Sequence, residues 1–444
     1  MLTEQDYRNA LVTRHPFWQA LSPTTVKQRV DQILSAPNAE QLVQTLSPIE
    51  YTILLKETPE LRPQLLQLAQ PQQIRLVLDL DCWDRDVIQT QPVLEWLEDL
   101  QRSGTEVFAQ TLQELDPEFL VFFLRQLVRI QGALPSEEDT EPIYYNEVLT
   151  NELYRTEFID PQSPLNDRLQ RVLGFLRLAD LDLYHKLMQA AMWEQDSELM
   201  EWAYRWKSGR LQDEGFPDYY EALESYRQVD LEHLAPAAAD SLHMPAPPES
   251  AEDLGLVPTY AWSFTQSGSL LEQALSYDFP ADTLERFCWE MVILCNRQLV
   301  YDQVDFADAA AVRSSLSRAH AYLNMGLEYL SGGDVQQLPR LMLQHHLQMI
   351  FRVGFTLVTR LHQRAYRIYY HLTRAAGVRR TLSCSAHAVL SGLLQPQPQV
   401  FEGLTQPAAI GYRDFVSLQD VVLIDPILQQ IETAPAYGLA PPAA

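Results

Sequence analysis

Five basic side chains between residues 360 and 374 repeat at helical spacing. They follow one another at intervals of four, three, four and three residues, and they are Arg360, Arg364, Arg367, His371 and Arg374. At about 100° per residue, this spacing places them on one narrow face of a helix. Guanidinium groups bind carboxylates and phosphates through paired hydrogen bonds. The pattern therefore predicts a cationic stripe that binds an anion or an acidic partner.

The stripe lies in a segment without acidic side chains, although the chain as a whole is acidic. The sequence has 59 acidic and 33 basic residues, yet no Asp or Glu occurs between Asp334 and Glu402. Like charges one helical turn apart repel, so the stripe requires a negative counterpart. We expect either the chain's own acidic segment, Glu137–Asp160, or an external anion to supply it.

A second candidate is Glu290, a carboxylate inside the apolar stretch 284–300, LERFCWEMVILCNRQLV. A buried carboxylate can have a raised pKa and act as a general acid or base. Arg286 precedes it by four residues, at ion-pair spacing, and Arg352 is another possible partner. Because buried charges are usually paired, the sequence favours a structural ion pair, with an acid–base site as the alternative.

Two further clusters contain residue types that bind metals. Aspartates suit Mg²⁺ or Ca²⁺, and imidazoles suit Zn²⁺. The aspartates fall where one helix should end and the next begin, where Asp is a common cap, and adjacent histidines diverge by about 100° on a helix. We therefore expect neither cluster to hold a metal. The clusters comprise Asp79, Asp81, Asp84 and Asp86, and His345, His346, His362, His371 and His387 with Cys384 nearby.

Other catalytic and targeting signals are missing from the sequence. It contains no P-loop, GxSxG, HExxH or CxxC pattern, so we expect no cofactor. The four cysteines have no metal-ligand spacing and are interpreted as reduced thiols. No apolar run approaches the roughly 20 residues that span a bilayer, and no secretory signal is visible. These features predict a cytoplasmic protein, and the net charge of −26 disfavours nucleic acid as a partner.

Regularly spaced prolines predict the elements of the N-terminal region. Prolines 23, 48, 71, 92 and 117 each precede an apolar stretch at helical spacing, and proline suits the first turn of a helix. Ser22, Ser47 and Asp116 stand in the preceding cap position, and Ser47 with Glu50 has capping-box spacing. Units of this length must stack on one another to bury their apolar faces, which predicts a helical repeat array.

The whole chain is predicted to be all-α, with the N-terminal repeat array followed by a C-terminal helical bundle. Residues 183–207 are interpreted as a helix, and Trp202 and Trp206, one turn apart on it, are expected in the core. Helical periodicity continues over 281–300, 310–330, 336–376 and 382–394, while 416–424 is ambiguous. The segments expected from composition are a repeat domain over 1–132, an acidic connector and middle helices over 133–234, a Pro/Ala-rich linker over 235–258, a C-terminal helical domain over 259–432 and a tail over 433–444.

Four stretches together carry a family resemblance. They are ELDPEFLVFFLRQLVRI (114–130), YLNMGLEYLSGGD (322–334), IFRVGFTLVTRL (350–361) and YRDFVSLQDV (412–421). They resemble an uncharacterised bacterial family of domains of unknown function, which implies a soluble helical protein without assigned catalytic residues. The N-terminal repeats are also similar to helical domains of MgtE-type magnesium transporters and flagellar motor-switch proteins, which implies a regulatory or connecting role.

The sequence thus favours a helical interaction or scaffold protein with an unidentified protein partner. An enzyme with a helical-bundle site around Glu290 is the first alternative. Binding of nucleic acid or another anion by the Arg helix is the second.

Overall fold

The computed structural model describes residues 3–12, 15–132, 154–234, 258–374, 383–406 and 408–433. Most of these residues lie in α-helices. The prediction of a mainly all-α protein is confirmed. The strands in these residues form only two-stranded antiparallel pairs. No helix of the described residues is both long and apolar enough to cross a membrane.

The chain divides into two compact units, and the segment bounds expected from composition stay a prediction. Residues 21–218 and 305–309 form one unit, which we call the inserted unit. Residues 1–20, 219–304 and 310–444 form the other, the discontinuous unit. The expected linker 235–258 lies outside the described residues except for Pro258, as does the tail from 434 onward.

The inserted unit contains eleven helices and two antiparallel strand pairs within its described residues. Its helices are α3 (Pro23–Ser35), α4 (Ala39–Gln44), α5 (Pro48–Glu57), α6 (Arg62–Leu68), α7 (Pro71–Asp81), α8 (Thr90–Ser103), α9 (Thr105–Glu114), α10 (Pro117–Leu127), α11 (Asn166–Ala179), α12 (Leu181–Trp193) and α13 (Asp196–Asp213). Its strands are β1 (Trp83–Asp84) paired with β2 (Val87–Ile88), and β3 (Val128–Gly132) paired with β4 (Tyr154–Phe158).

The discontinuous unit begins with α1 and α2 and resumes at α14. Its helices are α1 (Glu4–Val12), α2 (Pro16–Gln19), α14 (Tyr219–Glu224), α15 (Leu270–Leu275), α16 (Ala281–Tyr301), α17 (Ala309–Ser331, from residue 310 onward), α18 (Leu338–Gln344), α19 (Leu347–Arg374), α20 (Cys384–Leu393) and α21 (Leu418–Thr433). It also has 3₁₀ turns at Thr259–Trp262, Val335–Gln337 and Glu402–Leu404, and the strand pair β5 (Val400–Phe401) and β6 (Tyr412–Arg413).

Four of the five regularly spaced prolines stand at the first position of a helix, and Pro92 lies in the first turn of α8. The side chain of Ser22 accepts a hydrogen bond from the backbone N–H of Thr25, and that of Ser47 accepts one from Glu50 at 3.3 Å. Glu50 itself is buried against Arg29. Helix α3 packs on α5 and α5 on α7, while α4 packs on α6 and α6 on α8. A stacked repeat array stays a prediction.

Two tryptophans of the inserted unit do not lie where their spacing suggested. Trp202 and Trp206 were expected in the core, but their residues are 44% and 48% exposed and their rings stack on each other. The buried face of α13 instead carries Leu199, Ala203 and Leu211. One residue along a helix turns the side chain by about 100°, so a neighbouring row of small and aliphatic residues faces inward and the expectation was wrong.

Helix α16 is the buried centre of the discontinuous unit, as its apolar sequence predicted. Phe287, Cys288, Met291 and Val292 are fully buried on it. Burial of side chains of this kind contributes roughly 1.5–3 kcal/mol for each large one, so this helix anchors the elements packed around it. Helices α1, α14 and α19 all pack against it.

Two glycines allow α17 and α19 to touch along their backbones. A Cβ on Gly326 would lie 2.0 Å from the carbonyl oxygen of Ile350, and one on Gly354 would lie 1.9 Å from the carbonyl oxygen of Tyr322. Both glycines are buried. Any side chain at either position would therefore separate the two helices. The close crossing thus fixes the position of α19 along its own axis relative to α17.

The predicted helix 336–376 is broken in the structure. Helix α18 ends at Gln344, and His345 has extended backbone angles before α19 begins at Leu347. The carboxylate of Glu290 accepts a hydrogen bond of 2.8 Å from the backbone N–H of Leu347, so it caps the new helix. Because this cap comes from a distant helix, no local sequence signal marks the break.

Candidate functional site

One member of the cationic stripe is neutralised by the chain itself. The guanidinium of Arg364 donates two hydrogen bonds to the carboxylate of Glu432, at 3.1 and 2.9 Å, and another to Asp425. Burial alone would lower the pKa of Arg364, but these carboxylates outweigh burial and raise it. The counterpart of Arg364 therefore lies on α21.

The other described members of the stripe face outward. Arg360, Arg367 and His371 are exposed on α19, and the side chain of Arg374 lies outside the described part of the chain. The acidic segment Glu137–Asp160 also lies outside the described residues up to residue 153, so its pairing with the stripe stays a prediction. These exposed groups leave a cationic face on one side of the helix.

The aspartate cluster is divided among ion pairs and solvent. Asp79 is buried and receives two hydrogen bonds from Arg210, at 2.8 and 3.0 Å. Asp81 accepts a hydrogen bond of 2.7 Å from Lys56. The remaining two members are the exposed Asp84 and Asp86. The paired carboxylates are therefore occupied in holding helices of the inserted unit together.

The histidines also take separate roles. His362 contacts the carbonyl oxygen of Leu393 at 2.6 Å, and burial lowers the pKa of His345. His387 is exposed. Among the residues that the structure describes, no three His, Cys, Asp or Glu side chains come together as a metal site. His346, in contrast, lies beside Glu290 at the edge of a pocket.

This pocket, between α16 and α19, is where the structure gathers chemically active side chains. Its volume is about 310 Å³. Helix α16 presents one face to it, with residues at intervals of three and four, and the start of α19 supplies the opposite wall. The described side chains that line it are Glu290, Ile293, Leu294, Arg297, His346, Gln348, Met349 and Arg352.

The carboxylate of Glu290 is held in one orientation beside the pocket. One carboxylate oxygen contacts Nδ1 of His346, and the other accepts the N–H of Leu347. The guanidinium Nη1 of Arg286 lies 3.7 Å from Oε1 of Glu290, the oxygen that contacts His346. The expected ion pair with Arg286 is therefore present, whereas Arg352 donates its hydrogen bonds elsewhere. These contacts fix the position of the His346 ring.

The other wall of the pocket is cationic. Arg352 donates hydrogen bonds to the backbone carbonyls of Glu224, at 2.7 Å, and Ser225, at 3.3 Å. Burial, together with the positive charges of Arg297 and Arg227, lowers the pKa of Arg352. No carboxylate of the described residues lies within ion-pair distance of Arg352, and its charge is balanced by backbone carbonyls and by the more distant carboxylate of Glu224.

Ser225 organises this cationic wall. Its hydroxyl oxygen accepts hydrogen bonds from Arg297 at 3.4 Å and from Gln348 at 3.0 Å. Its backbone carbonyl accepts a hydrogen bond from Arg352. Arg297 also donates to Glu221 at 3.3 Å, and its buried Nε has no hydrogen-bond partner in the part of the chain that the structure describes. The wall thus presents donors that the protein only partly satisfies.

The sequence indicated Glu290, His346 and Arg352 of this site but not Arg297 or Ser225. Glu290 and His346 were both candidates but were assigned to separate clusters, because the helix break that brings them together was not predicted. Arg297 was missed, although it lies seven residues after Glu290 on the same helical face. Ser225 had no signal, since it belongs to an irregular segment after α14.

Comparisons with known proteins give one match. No curated protein and no solved structure is significantly similar to this chain. The resemblance to magnesium-transporter and flagellar helical domains stays a prediction. The model of the family of unknown function DUF6178 matches residues 8–436, and the chain therefore belongs to that family.

Proposed function

We propose that the protein binds a small organic anion in the pocket between α16 and α19. The observation that carries this proposal is Arg352, a partly buried guanidinium that lines the pocket beside Arg297 and has no carboxylate of the described residues within ion-pair distance. A carboxylate or phosphate would fill the missing position and accept charge-assisted hydrogen bonds. The volume of about 310 Å³ suits a ligand on the order of ten non-hydrogen atoms.

Titration calorimetry at low ionic strength tests this proposal, with inorganic phosphate, acetate and succinate as probes. We expect at least one probe to bind with a Kd below about 1 mM, which corresponds to about 4 kcal/mol. Arg352→Gln should weaken that binding by roughly tenfold or more, since a hydrogen bond to a charged group contributes about 1.5–3 kcal/mol.

Arg340→Gln is the matched control. Arg340 is an exposed arginine on α18 and does not line the pocket, so its replacement removes the same charge from the same unit. This variant should bind the probes as the wild type does. Equal losses in both variants, or no binding of any probe to the wild type, would contradict the proposal.

A second proposal keeps the interaction role expected from the sequence. Arg360, Arg367 and His371 form an exposed cationic face on α19, which favours an acidic protein segment as the partner. The net charge of −26 disfavours nucleic acid as the competing partner. The free cysteines of the protein, of which Cys82, Cys288 and Cys295 are buried, support a cytoplasmic location.

A further inference from the structure

We propose that the anion pocket selects a monocarboxylate with a short apolar chain, of the size of hexanoate, over phosphate and over dicarboxylates. The carboxylate of this ligand binds at the arginine wall, and its chain lies between α16 and α19. The inference rests on the proposed anion binding and adds the chemical class of the ligand.

The pocket has an acidic end and a cationic end. The residues that α16 presents to it are spaced by three, one and three positions and are Glu290, Ile293, Leu294 and Arg297. They lie on one face of the helix and extend over about 10 Å along its axis. On the opposite wall, His346 contacts Glu290, and the positive charge of Arg297 acts on Arg352. Both walls therefore run from the acidic end to the cationic end in the same order.

The cationic end provides the position for the carboxylate. Arg352 donates through Nε and Nη2 to two backbone carbonyls, while its Nη1 donates to no acceptor of the described residues. Arg297 adds a second guanidinium to the same end of the pocket. A carboxylate accepts hydrogen bonds through both of its oxygens and balances these charges.

The middle of the pocket is apolar. Ile293 and Leu294 lie on α16 four and three residues before Arg297. Met349 lies on α19 three residues before Arg352. Each apolar side chain is thus about one helical turn from the arginine of its own helix. A chain attached to the bound carboxylate therefore contacts aliphatic carbon and the thioether, and methionine adapts its shape to such chains.

The acidic end offers no place for a second anionic group. Glu290 is only 8% exposed, accepts the N–H of Leu347 and lies 3.7 Å from Arg286. Its oxygens are acceptors, so they donate nothing to a second carboxylate, and their existing contacts leave no need for a cation from the ligand. A ligand that ends in a methyl group therefore suits this end, and the volume of about 310 Å³ holds hexanoate.

Titration calorimetry with acetate, butyrate and hexanoate measures the contribution of the chain. Each added methylene group should tighten binding by roughly two- to fourfold, because it removes apolar surface from water. The affinity should accordingly rise by at least about tenfold from acetate to hexanoate. Equal affinity for the three acids would overturn the inference.

Two analogues of the length of hexanoate test the far end of its chain. Adipate has a second carboxylate there, and 6-aminohexanoate has an ammonium group. Both should bind at least roughly tenfold more weakly than hexanoate, because a charged end loses its hydration against apolar side chains. Inorganic phosphate should also bind more weakly, since it leaves the apolar surface uncovered. If any of these three probes binds more tightly than hexanoate, the proposed ligand class is wrong.

Met349→Gln replaces the apolar side chain with a polar one of similar size. It should reduce the gain in affinity from acetate to hexanoate to less than about threefold while changing acetate binding by less than about twofold. Met200→Gln is the matched control, because Met200 is exposed on α13 and does not line the pocket. An unchanged chain-length series in Met349→Gln would contradict the position of the chain.

Arg352→Gln tests the position of the carboxylate. Acetate and hexanoate share this group, so both should lose affinity by a similar factor, roughly tenfold or more. Hexanoate binding that is unaffected by Arg352→Gln would mean that the acid binds elsewhere, which would overturn the inference.

These outcomes separate the ligand class from the proposed function. Binding of acetate, succinate or phosphate without any gain from a longer chain would overturn the apolar chain site and leave anion binding intact. If none of the carboxylates and no phosphate binds, anion binding itself fails, and the ligand class fails with it.

Discussion

Arg364 and Arg367 show that two arginines of the same stripe can have different roles. They lie one helical turn apart on α19, yet the side chain of Arg364 is only 19% exposed and pairs with Glu432 and Asp425, whereas Arg367 is exposed. Partly buried charges depend on their partners far more than solvated ones do. The two positions therefore separate internal neutralisation from an external binding role.

Replacement of each arginine by glutamate should lower stability strongly at position 364 and hardly at all at position 367. Arg364→Glu would place three carboxylates together and should lower the free energy of unfolding by about 2–4 kcal/mol. Arg367→Glu should change it by less than about 0.5 kcal/mol, because this side chain is exposed and forms no ion pair within the described part of the chain. Urea unfolding measures both values. Equal destabilisation by the two substitutions would contradict the division of the stripe.

Binding of a fluorescent poly-L-glutamate probe completes the comparison. If the exposed face receives an acidic partner, Arg367→Glu should weaken the probe while the fold is unchanged, and added salt should weaken it further. A single-stranded oligonucleotide of equal charge is the comparator. Preference for the oligonucleotide would favour the nucleic-acid alternative over a protein partner.

The sequence predicted the face of the stripe but not the fate of each arginine. Helical periodicity alone places Arg360, Arg364 and Arg367 together. The carboxylates that neutralise Arg364 lie 61 and 68 residues further along the chain. Pairing over such a separation is set by tertiary packing, which a local pattern does not contain.

At the scale of elements, the crossing of α17 and α19 is the feature on which the pocket depends. Gln348 and Met349 line the pocket less than two turns before Gly354, where the backbones touch. A displaced α19 would therefore carry the pocket residues away from α16. The crossing connects packing directly to ligand binding.

Gly354→Ala should destabilise the protein by about 1–3 kcal/mol, since its Cβ has no space beside the carbonyl of Tyr322. It should also weaken the binding of the anionic probe. Gly174→Ala on α11 is the control, because a Cβ added there would have no atom within 4 Å apart from its neighbours in the helix. There alanine should add about 0.5–1 kcal/mol through its higher helix propensity. Unfolding curves of both variants decide the matter, and an unperturbed Gly354→Ala would argue against the close crossing.

Helices with local signals were predicted well, and those shaped by distant contacts were not. The cap residues Ser22 and Ser47 accept the expected backbone hydrogen bonds, but Asp116 makes no cap hydrogen bond and pairs with Arg210 instead. The break after His345 was missed, because the group that caps α19 is Glu290, on another helix. The ambiguous stretch 416–424 contributes to α21, a helix that continues through Pro426.

At the scale of the whole molecule, the discontinuous unit is assembled from distant parts of the chain. Tyr7 donates a hydrogen bond of 2.9 Å to Glu285, and the ring of Trp18 lies 5.7 Å from that of Tyr260. Between these partners the chain completes nearly all of the inserted unit. The composition of the sequence gave no sign of this arrangement, because contacts between distant parts of the chain leave no local signal in composition.

Limited proteolysis should reveal this connectivity. The segment from Ala235 to Pro258 is rich in proline and alanine, so we expect the first interior cut there. The nicked protein should still elute as one species in gel filtration, since contacts of α1, α2 and α14 with the later helices hold its two fragments together. In denaturant the fragments should separate. Separation under native conditions, or a first cut within 281–374, would contradict the connectivity.

The same connectivity sets an order of events during synthesis. Trp18 is fully buried in the finished protein, partly against Tyr260, which the ribosome adds 242 residues later. At about 5–20 residues per second, that interval is on the order of ten to fifty seconds. Throughout this time the segments of α1 and α2 lack the surface that buries them, and by the end of it most of the inserted unit has been made. The first helices to leave the ribosome are therefore among the last to reach their final environment.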